Sequence, residues 1–401
     1  MATTGYNAAA IETTDVVMSY GLEATWAQPP ATTFQAWRMT SEGMAGKKTR
    51  SRPDEINDSA QVSTAVTTQE GADGAINFAL SYGTYDDAFC SLLNSSWSNT
   101  LNIVGVGGDI AFVASAGGNK ITSTTNSKFQ NVLVGQYIKV MGCAAAPDGN
   151  GAAFFVKVDS KPDNQTLIVS GKALVAESPT GTAVSIRGSM IRNSNVVQTL
   201  FIQKKLGAAG YLTYPGSFAS GGNIDCQQGQ FTSGSINYIA KIENKATVDS
   251  STGGVLPAPA GPVIDPIAGM QALTLNGTAI AASVNSMKLQ FQKQGAAAHY
   301  ALQSAGAVMI TKGKLEVTGT TEIYFADFTL YDRFKSEAMD PLSFRQVDAT
   351  GSAYVLTMLK VALMNPKVTA GGPGRPVVAS FELEGNPDPA TGATFQMDRA
   401  A

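Results

Sequence analysis

One stretch constrains the fold more than any other: Thr68 to Leu93, TQEGADGAINFALSYGTYDDAFCSLL. Ile76, Phe78, Leu80 and Tyr82 alternate with Asn77, Ala79 and Ser81, the period-two pattern of a strand buried on one face. Gly83 breaks the run, and Tyr85 to Leu93 follows as a short helix. Asp86 and Asp87 fall near its start, where free backbone N–H groups favour carboxylates. Two later pieces echo this order. Gly234-Ser-Ile-Asn-Tyr238 repeats Gly74-Ala-Ile-Asn-Phe78, and Glu322 to Met339 again runs strand, Tyr-Asp, short helix. A sandwich unit used more than once is the first expectation.

Composition narrows the function. Only 15% of the 401 residues are charged, against about 25% in an ordinary soluble domain, and 41 glycines stand among many Ala, Ser and Thr. That balance suits a turn-rich β protein whose surface is partly covered by neighbours. The net charge of −3 gives no basic excess for wrapping nucleic acid by phosphate neutralisation. The chain begins without a basic, apolar leader, and no apolar run approaches the roughly 18 residues of a membrane span. Synthesis in the cytoplasm without export by a standard signal is therefore expected.

The usual marks of chemistry are missing. Cys90, Cys143 and Cys226 are dispersed and read as small buried hydrophobes. The single histidine, His299, has no neighbouring Cys or acidic cluster. There is no G-x-S-x-G elbow, no phosphate loop ending in Gly-Lys, and no strand-to-helix G-x-G-x-x-G. Gly105-Val-Gly-Gly-Asp109 lacks the phosphate-contacting lysine, and the adjacent pairs Asp54-Glu55 and Asp86-Asp87 cannot set a glycosidase separation. No catalytic, cofactor-binding or metal-binding residue is expected, and no cofactor.

Taken in order, residues 1–99 form an arm and the first part of a sandwich, with a long charged loop at 41–73. Within that loop Lys47, Lys48, Arg50 and Arg52 precede Asp54, Glu55 and Asp58. Two readings stay open: a solvated loop with local ion pairs, or an extended loop or hairpin that meets another subunit. Residues 100–190 carry five short strands with turns at Ala116 to Asn119, Ala146 to Gly149 and Lys161 to Asn164, and read as a small all-β inserted domain. Residues 191–247 resume the first style. Residues 248–268, with Pro257, Pro259, Pro262 and Pro266, form a stiff linker. Residues 269–401 are a strand-dense C-terminal part.

Three runs carry a resemblance: Met44-Ala-Gly-Lys-Lys-Thr-Arg-Ser-Arg-Pro-Asp-Glu-Ile-Asn57, then Gly74 to Phe78 with Tyr82 to Asp87, and Phe381-Glu-Leu-Glu-Gly-Asn-Pro-Asp-Pro-Ala-Thr-Gly392. They resemble the major tail tube protein family of long-tailed bacteriophages. The resemblance implies a mainly β fold, a tail-tube β-sandwich with a short flanking helix. Six such units, or three chains with two units each, would make a ring, and rings would stack into a hollow tube through which the genome leaves. A plain hexamer stands ahead of a trimer of doubled units. Implied partners are copies of the chain itself, the tail terminator, initiator and tape measure proteins, and double-stranded DNA in transient passage without specific binding. The place of action is the virion.

On this reading Lys47, Lys48, Arg50, Arg52, Asp54, Glu55 and Asp58 contact the next subunit or ring, and Asn77, Ala79 and Ser81 face the lumen. The competing readings are a carbohydrate-binding or adhesive β protein, with 100–190 as the binder, and a hydrolase with a site assembled from distant residues.

Overall fold

The computed structural model describes residues 11–401 other than 57, 59–60, 116–117, 145–148, 181–182 and 281–282. The first ten residues of the expected arm, and most of the turns expected at Ala116 to Asn119 and Ala146 to Gly149, lie outside the described residues. Strands carry nearly all of the fold, and the two α-helices, Asp86–Leu93 and Thr329–Lys335, are short.

The strands sort into two repeats with the same connectivity. In repeat one, Val16–Leu22, Leu200–Leu206, the first part of Gly210–Gln227 and Asn244–Ala246 lie side by side as an outer layer. An inner layer is formed by Ala45–Ser51, Val66–Ala79, Ser233–Ala240 and the second part of Gly210–Gln227. In repeat two the outer layer is Met270–Leu275, Asp340–Val347, the first part of Ala353–Ala370 and Phe395–Ala400. Its inner layer is Val284–Gln294, Lys314–Tyr324, Val377–Asn386 and the rest of Ala353–Ala370. Each repeat visits these positions in the same chain order. Each has one 18-residue strand that leaves the outer layer and enters the inner one. Each packs its helix against that long strand.

The doubling expected from Glu322 to Met339 is therefore real, whereas the five-residue echo has another cause. Gly74 to Phe78 and Gly234 to Tyr238 are antiparallel neighbours within repeat one, Ile76 facing Ile236 and Gly74 facing Tyr238. Their likeness reflects one shared sheet environment, with Ile76 and Ile236 both buried, and not equivalent positions in two copies.

A single apolar core runs through both repeats. Ile76, Phe78, Ile224 and Ile236 from repeat one join Leu289, Phe291, Leu383 and Phe395 from repeat two. Phe291 and Phe395 meet edge to face with centroids 4.9 Å apart, linking the two layers of repeat two. Each such side chain contributes about 1.5–3 kcal/mol by leaving water.

Between the first helix and Leu200–Leu206, where repeat two needs only a short turn, repeat one carries the insert. Leu101–Val104, Ile110–Val113, Asn119–Ser123, Tyr137–Met141, Ala153–Asp163, Thr166–Ser170 and the start of Ser185–Arg192 form one antiparallel sheet. It encloses a separate core that includes Ile121, Phe129, Ile138, Val140, Leu167 and Ile186. Leu101–Val104 and Asn119–Ser123 were hidden in sequence by their mixed polarity. Ser185–Arg192 stitches the insert to the body, pairing first with the insert and then, from Ser189, with Phe395–Ala400. Although spliced into repeat one, the insert leans on repeat two. Tyr137 Oη donates to Ser343 Oγ at 3.1 Å, Lys139 Nζ to the Gly351 carbonyl at 2.7 Å, and the Arg345 guanidinium lies 4.7 Å from the Phe155 ring centre. At this join Asp398, 1% exposed, accepts hydrogen bonds from Tyr137 N–H and Gln396 Nε2. Burial pushes its carboxyl up to about 7.

The proline-rich segment is a strap between the repeats. Val255–Leu256 runs parallel to Phe34–Ala36, and Ile264 N–H donates to the Leu80 carbonyl at 3.0 Å.

Candidate assembly face and edges

The two inner layers are continuous. Gly210–Gln227 of repeat one pairs with Val284–Gln294 of repeat two, from Gly221 opposite Gln292 to Gln227 opposite Ser286. Gly221 permits the approach, since a Cβ there would stand 2.6 Å from the Phe291 carbonyl oxygen. The result is one eight-stranded antiparallel sheet. In spatial order it is Ala45–Ser51, Val66–Ala79, Ser233–Ala240, Gly210–Gln227, Val284–Gln294, Lys314–Tyr324, Val377–Asn386 and Ala353–Ala370.

One face of this sheet supplies the core and the other carries small and polar side chains. Asn77, Asn223, Ser235, Gln290, Gln292, Thr318 and Thr320 lie on the second face. The alternation that buries Ile76 and Phe78 puts Asn77 and Ala79 there. Ser81 does not follow them. The strand ends at Ala79, and Ser81 is fully buried, its Oγ 2.7 Å from Thr84 Oγ1. Of the three residues expected in one row, Asn77 and Ala79 share the polar face and Ser81 does not, because the strand ends and the chain turns inward before Gly83. On the same face the carboxylates of Asp73, Asp225, Glu316, Glu322, Glu382 and Glu384 stand among the ammonium groups of Lys47, Lys288, Lys314, Lys360 and Lys367, six against five. Lys288 and Asp225 pair at 3.6 Å across the seam between the repeats.

Both ends of the sheet are open edges among the described residues. One is Ala45–Ser51, exposed along its whole length. The other is the second part of Ala353–Ala370, whose last residues are likewise exposed. Unpaired edges invite aggregation unless charge or proline disciplines them. Here Lys47, Lys48 and Arg50 sit on the first edge, and Pro366 and Lys367 on the second.

Of the two conformations expected for the charged run, solvated loop or extended loop or hairpin, it takes the hairpin: Ala45–Ser51 pairs with Val66–Ala79, and 52–65 connects them. Lys47 pairs with Asp73 at 2.6 Å and Lys48 with Glu70 at 2.7 Å. Arg50 and Arg52 donate to the backbone carbonyls of Ala65 and Ser63, and Glu55 accepts from Ser63 Oγ at 3.0 Å. Asp54 and Asp58 are exposed in the connection. So are Ile56, at 105%, and Val62, at 75%, an apolar pair left in water on a charged tip.

The two helices differ in what covers them. In the first, Ala88 to Leu93 are all buried. Repeat two supplies much of that cover. Tyr354 Oη donates to Asp86 Oδ1 at 2.6 Å and accepts from Gly83 N–H at 2.8 Å, and Arg399 pairs with Asp86. Lys293 Nζ donates to the Ser91 carbonyl and to Asn94 Oδ1, both at 2.8 Å, at the helix C-terminus, 4.1 Å from the Phe218 ring centre. Burial lowers the Lys293 ammonium to about 7. The second helix buries only Leu330. It leaves a ladder of rings, Phe325, Phe328, Tyr331 and Phe334, with Phe328 62% exposed. The sequence carries a sign of this asymmetry that the shared strand-to-helix order hides: Ala88 to Leu93 hold no charged side chain, whereas Leu330 to Lys335 hold Asp332, Arg333 and Lys335.

Among the described residues no group of three or more His, Cys, Asp or Glu could hold a metal ion. His299 Nε2 lies 3.2 Å from Thr311 Oγ1 on an exposed hairpin. What the fold and face define is a β-structural subunit: a doubled sandwich with a continuous polar sheet that ends in two unpaired edges. The family model of the phage tail tube protein matches residues 13–385, and the chain belongs to that family. No curated protein matches the chain. The match spans repeat one, the insert and repeat two up to the end of Val377–Asn386, short of the last strand Phe395–Ala400, and it makes the protein a structural component of a phage tail tube.

Proposed function

We propose that the protein polymerises with copies of itself into rings, that the rings stack into the tail tube, and that the tube is the conduit for genome delivery. The observation that carries this reading is the eight-stranded sheet with one polar face and both edges open. A ring joins the edges and so removes the aggregation hazard that each edge presents alone. The polar face then lines the bore, with Asn77 and Ala79 among its residues. Its surplus of carboxylates repels phosphates, so that double-stranded DNA passes without being held. In this reading the charged hairpin at Lys47 to Asp58 is the contact between subunits, the protein resides in the virion after synthesis in the host cytoplasm, and the tail terminator, initiator and tape measure proteins meet the tube at its ends and in its bore.

The test is electron microscopy of the purified protein, alone and with tail initiator components. Rings or tubes are expected. A strictly monomeric protein over a wide range of concentration and salt, with initiator present, contradicts the proposal.

A further inference from the structure

We infer that the cleft between the insert and repeat two is a binding site for a carboxylated sugar. It lies away from the eight-stranded sheet, so the inference holds or fails independently of polymerisation.

The cleft opens where two β layers meet without filling the space between them. Ala153–Asp163 and Thr166–Ser170 of the insert give one wall, and Met270–Leu275 with Asp340–Val347 of repeat two gives the other. Two hollows, of about 310 and 590 Å³, lie side by side and share Phe155, Gly171 and Arg345. Each has the size of a site for a small molecule.

The charges in the cleft are out of balance. The larger hollow is bordered by Lys139, Lys172 and Arg345 and by no Asp or Glu. The smaller adds Lys157 and the exposed Asp159. Among the described residues none of these four cations belongs to an ion pair. They rest instead on neutral groups. Lys139 Nζ donates to the Gly351 carbonyl, and Arg345 Nη2 donates to Gln271 Oε1 at 3.0 Å. Lys172 Nζ lies 5.1 Å from the Phe154 ring centre. Asp348 is near enough to Lys139 to favour its charge, but its Oδ1 is already taken by Thr350 and Ser352. Burial lowers both Lys139 and Arg345, and Arg345 Nε is buried without a partner. A half-buried cation without a counter-charge is costly, and an anion seated beside it removes the cost. That a chain of net charge −3 gathers four cations around one ring, Phe155, marks the place for such an anion.

The second hollow says what the anion is carried on. Ser170, Asn276 and Thr278 offer two hydroxyls and an amide there, beside the planar Arg345 guanidinium. The guanidinium matches a carboxylate, and the hydroxyls and amide match the hydroxyl groups of a sugar ring. A bare phosphate would use the cations and leave the second hollow empty. A neutral sugar would leave the cations unpaired. A carboxylate on a polyhydroxylated ring satisfies both hollows at once.

Isothermal titration of the full-length protein with galacturonate, galactose and inorganic phosphate is the test. Galacturonate is expected to bind at millimolar concentration or below, phosphate more weakly, and galactose not at all. Arg345→Gln and Lys172→Gln should each weaken galacturonate about tenfold or more. Lys172 makes no side-chain hydrogen bond to repeat two, so its variant reads the site even where Arg345→Gln disturbs the joint. A galacturonate oligomer that binds more tightly than the monomer identifies an acidic polysaccharide as the source, and equal affinity identifies a free sugar acid. The inference is overturned when neither monomer nor oligomer binds, when galactose or phosphate binds as tightly as galacturonate, or when both variants bind unchanged.

Discussion

The two helices occupy the same place in their repeats and meet opposite fates. Asp86–Leu93 is sealed by Tyr354, Arg399 and Lys293 of repeat two, while Thr329–Lys335 buries only Leu330 and is preceded by the exposed Phe328, with Tyr331 and Phe334 half-buried. Sequence and position both make the difference: Ala88 to Leu93 carry no charge whereas the second helix holds Asp332, Arg333 and Lys335, and the first helix has residues of the other repeat against it. A surface in repeat two that looks like a defect is thereby read as one half of an interface whose other half is already visible in repeat one.

The comparison breaks most easily at the rings. Phe89, 1% exposed, is expected to cost about 3–5 kcal/mol when changed to Ala. Phe328→Ala, at its exposed site, should stay within about 0.5 kcal/mol in the free subunit yet weaken assembly. Chemical denaturation of unassembled protein measures both, and equal losses would mean that the helices are not covered differently. Next in size, Tyr354→Phe removes the hydroxyl that joins Asp86 and Gly83. A loss of about 1–3 kcal/mol is expected from the polar groups left behind, read from the same curves.

The insert offers a sharper test of which repeat it depends on. The Asp398 carboxyl is raised by burial to about 7 in the fold and has an ordinary value near 3.8 when unfolded. The folded state therefore holds the extra proton between those values, and stability falls as pH rises from about 4 to 7, by at most roughly 1.4 kcal/mol per pH unit. Asp398→Asn should remove that slope. Midpoints measured along this pH range check it, and an unchanged slope in the variant would place the titration elsewhere.

The smallest effect on the fold is expected at the hairpin. Reversing Lys47, Lys48, Arg50 and Arg52 breaks two exposed ion pairs and should cost the subunit no more than about 1 kcal/mol. Polymerisation followed by light scattering should weaken clearly and lose its salt dependence. Unchanged tube length and salt resistance would deny the tip a role between chains.

Much of the fold was legible in the sequence because it rests on alternation. The pattern through Ile76, Phe78 and Leu80 gave the strand, its faces and the helix after it. The insert announced itself by a run of short strands between polar ends. Other features were not legible, for physical reasons. Ser81 continues the alternation on paper, but the strand stops two residues earlier. The Lys47 to Asp58 run looks like loop by composition, although its first part is held by pairing to Val66–Ala79, which only the partner strand reveals. The two echoes have equal weight as text, yet one marks duplication and the other marks neighbouring strands. The exchange of the 18-residue strand of repeat one falls at Pro215-Gly216, with Gly216 at positive φ, which in sequence looks like a break and not a passage between layers.

The central claim is that the two open edges, Ala45–Ser51 and the end of Ala353–Ala370, are joined between copies of the chain in the ring, whereas Gly221 to Gln227 and Ser286 to Gln292 are joined within one. Amide hydrogen exchange in free subunits and in assembled tubes measures this directly. The internal seam should be protected in both states, and the two edges should go from fast exchange in the subunit to protection in the tube. Edges that exchange as fast in tubes as in free subunits would contradict it.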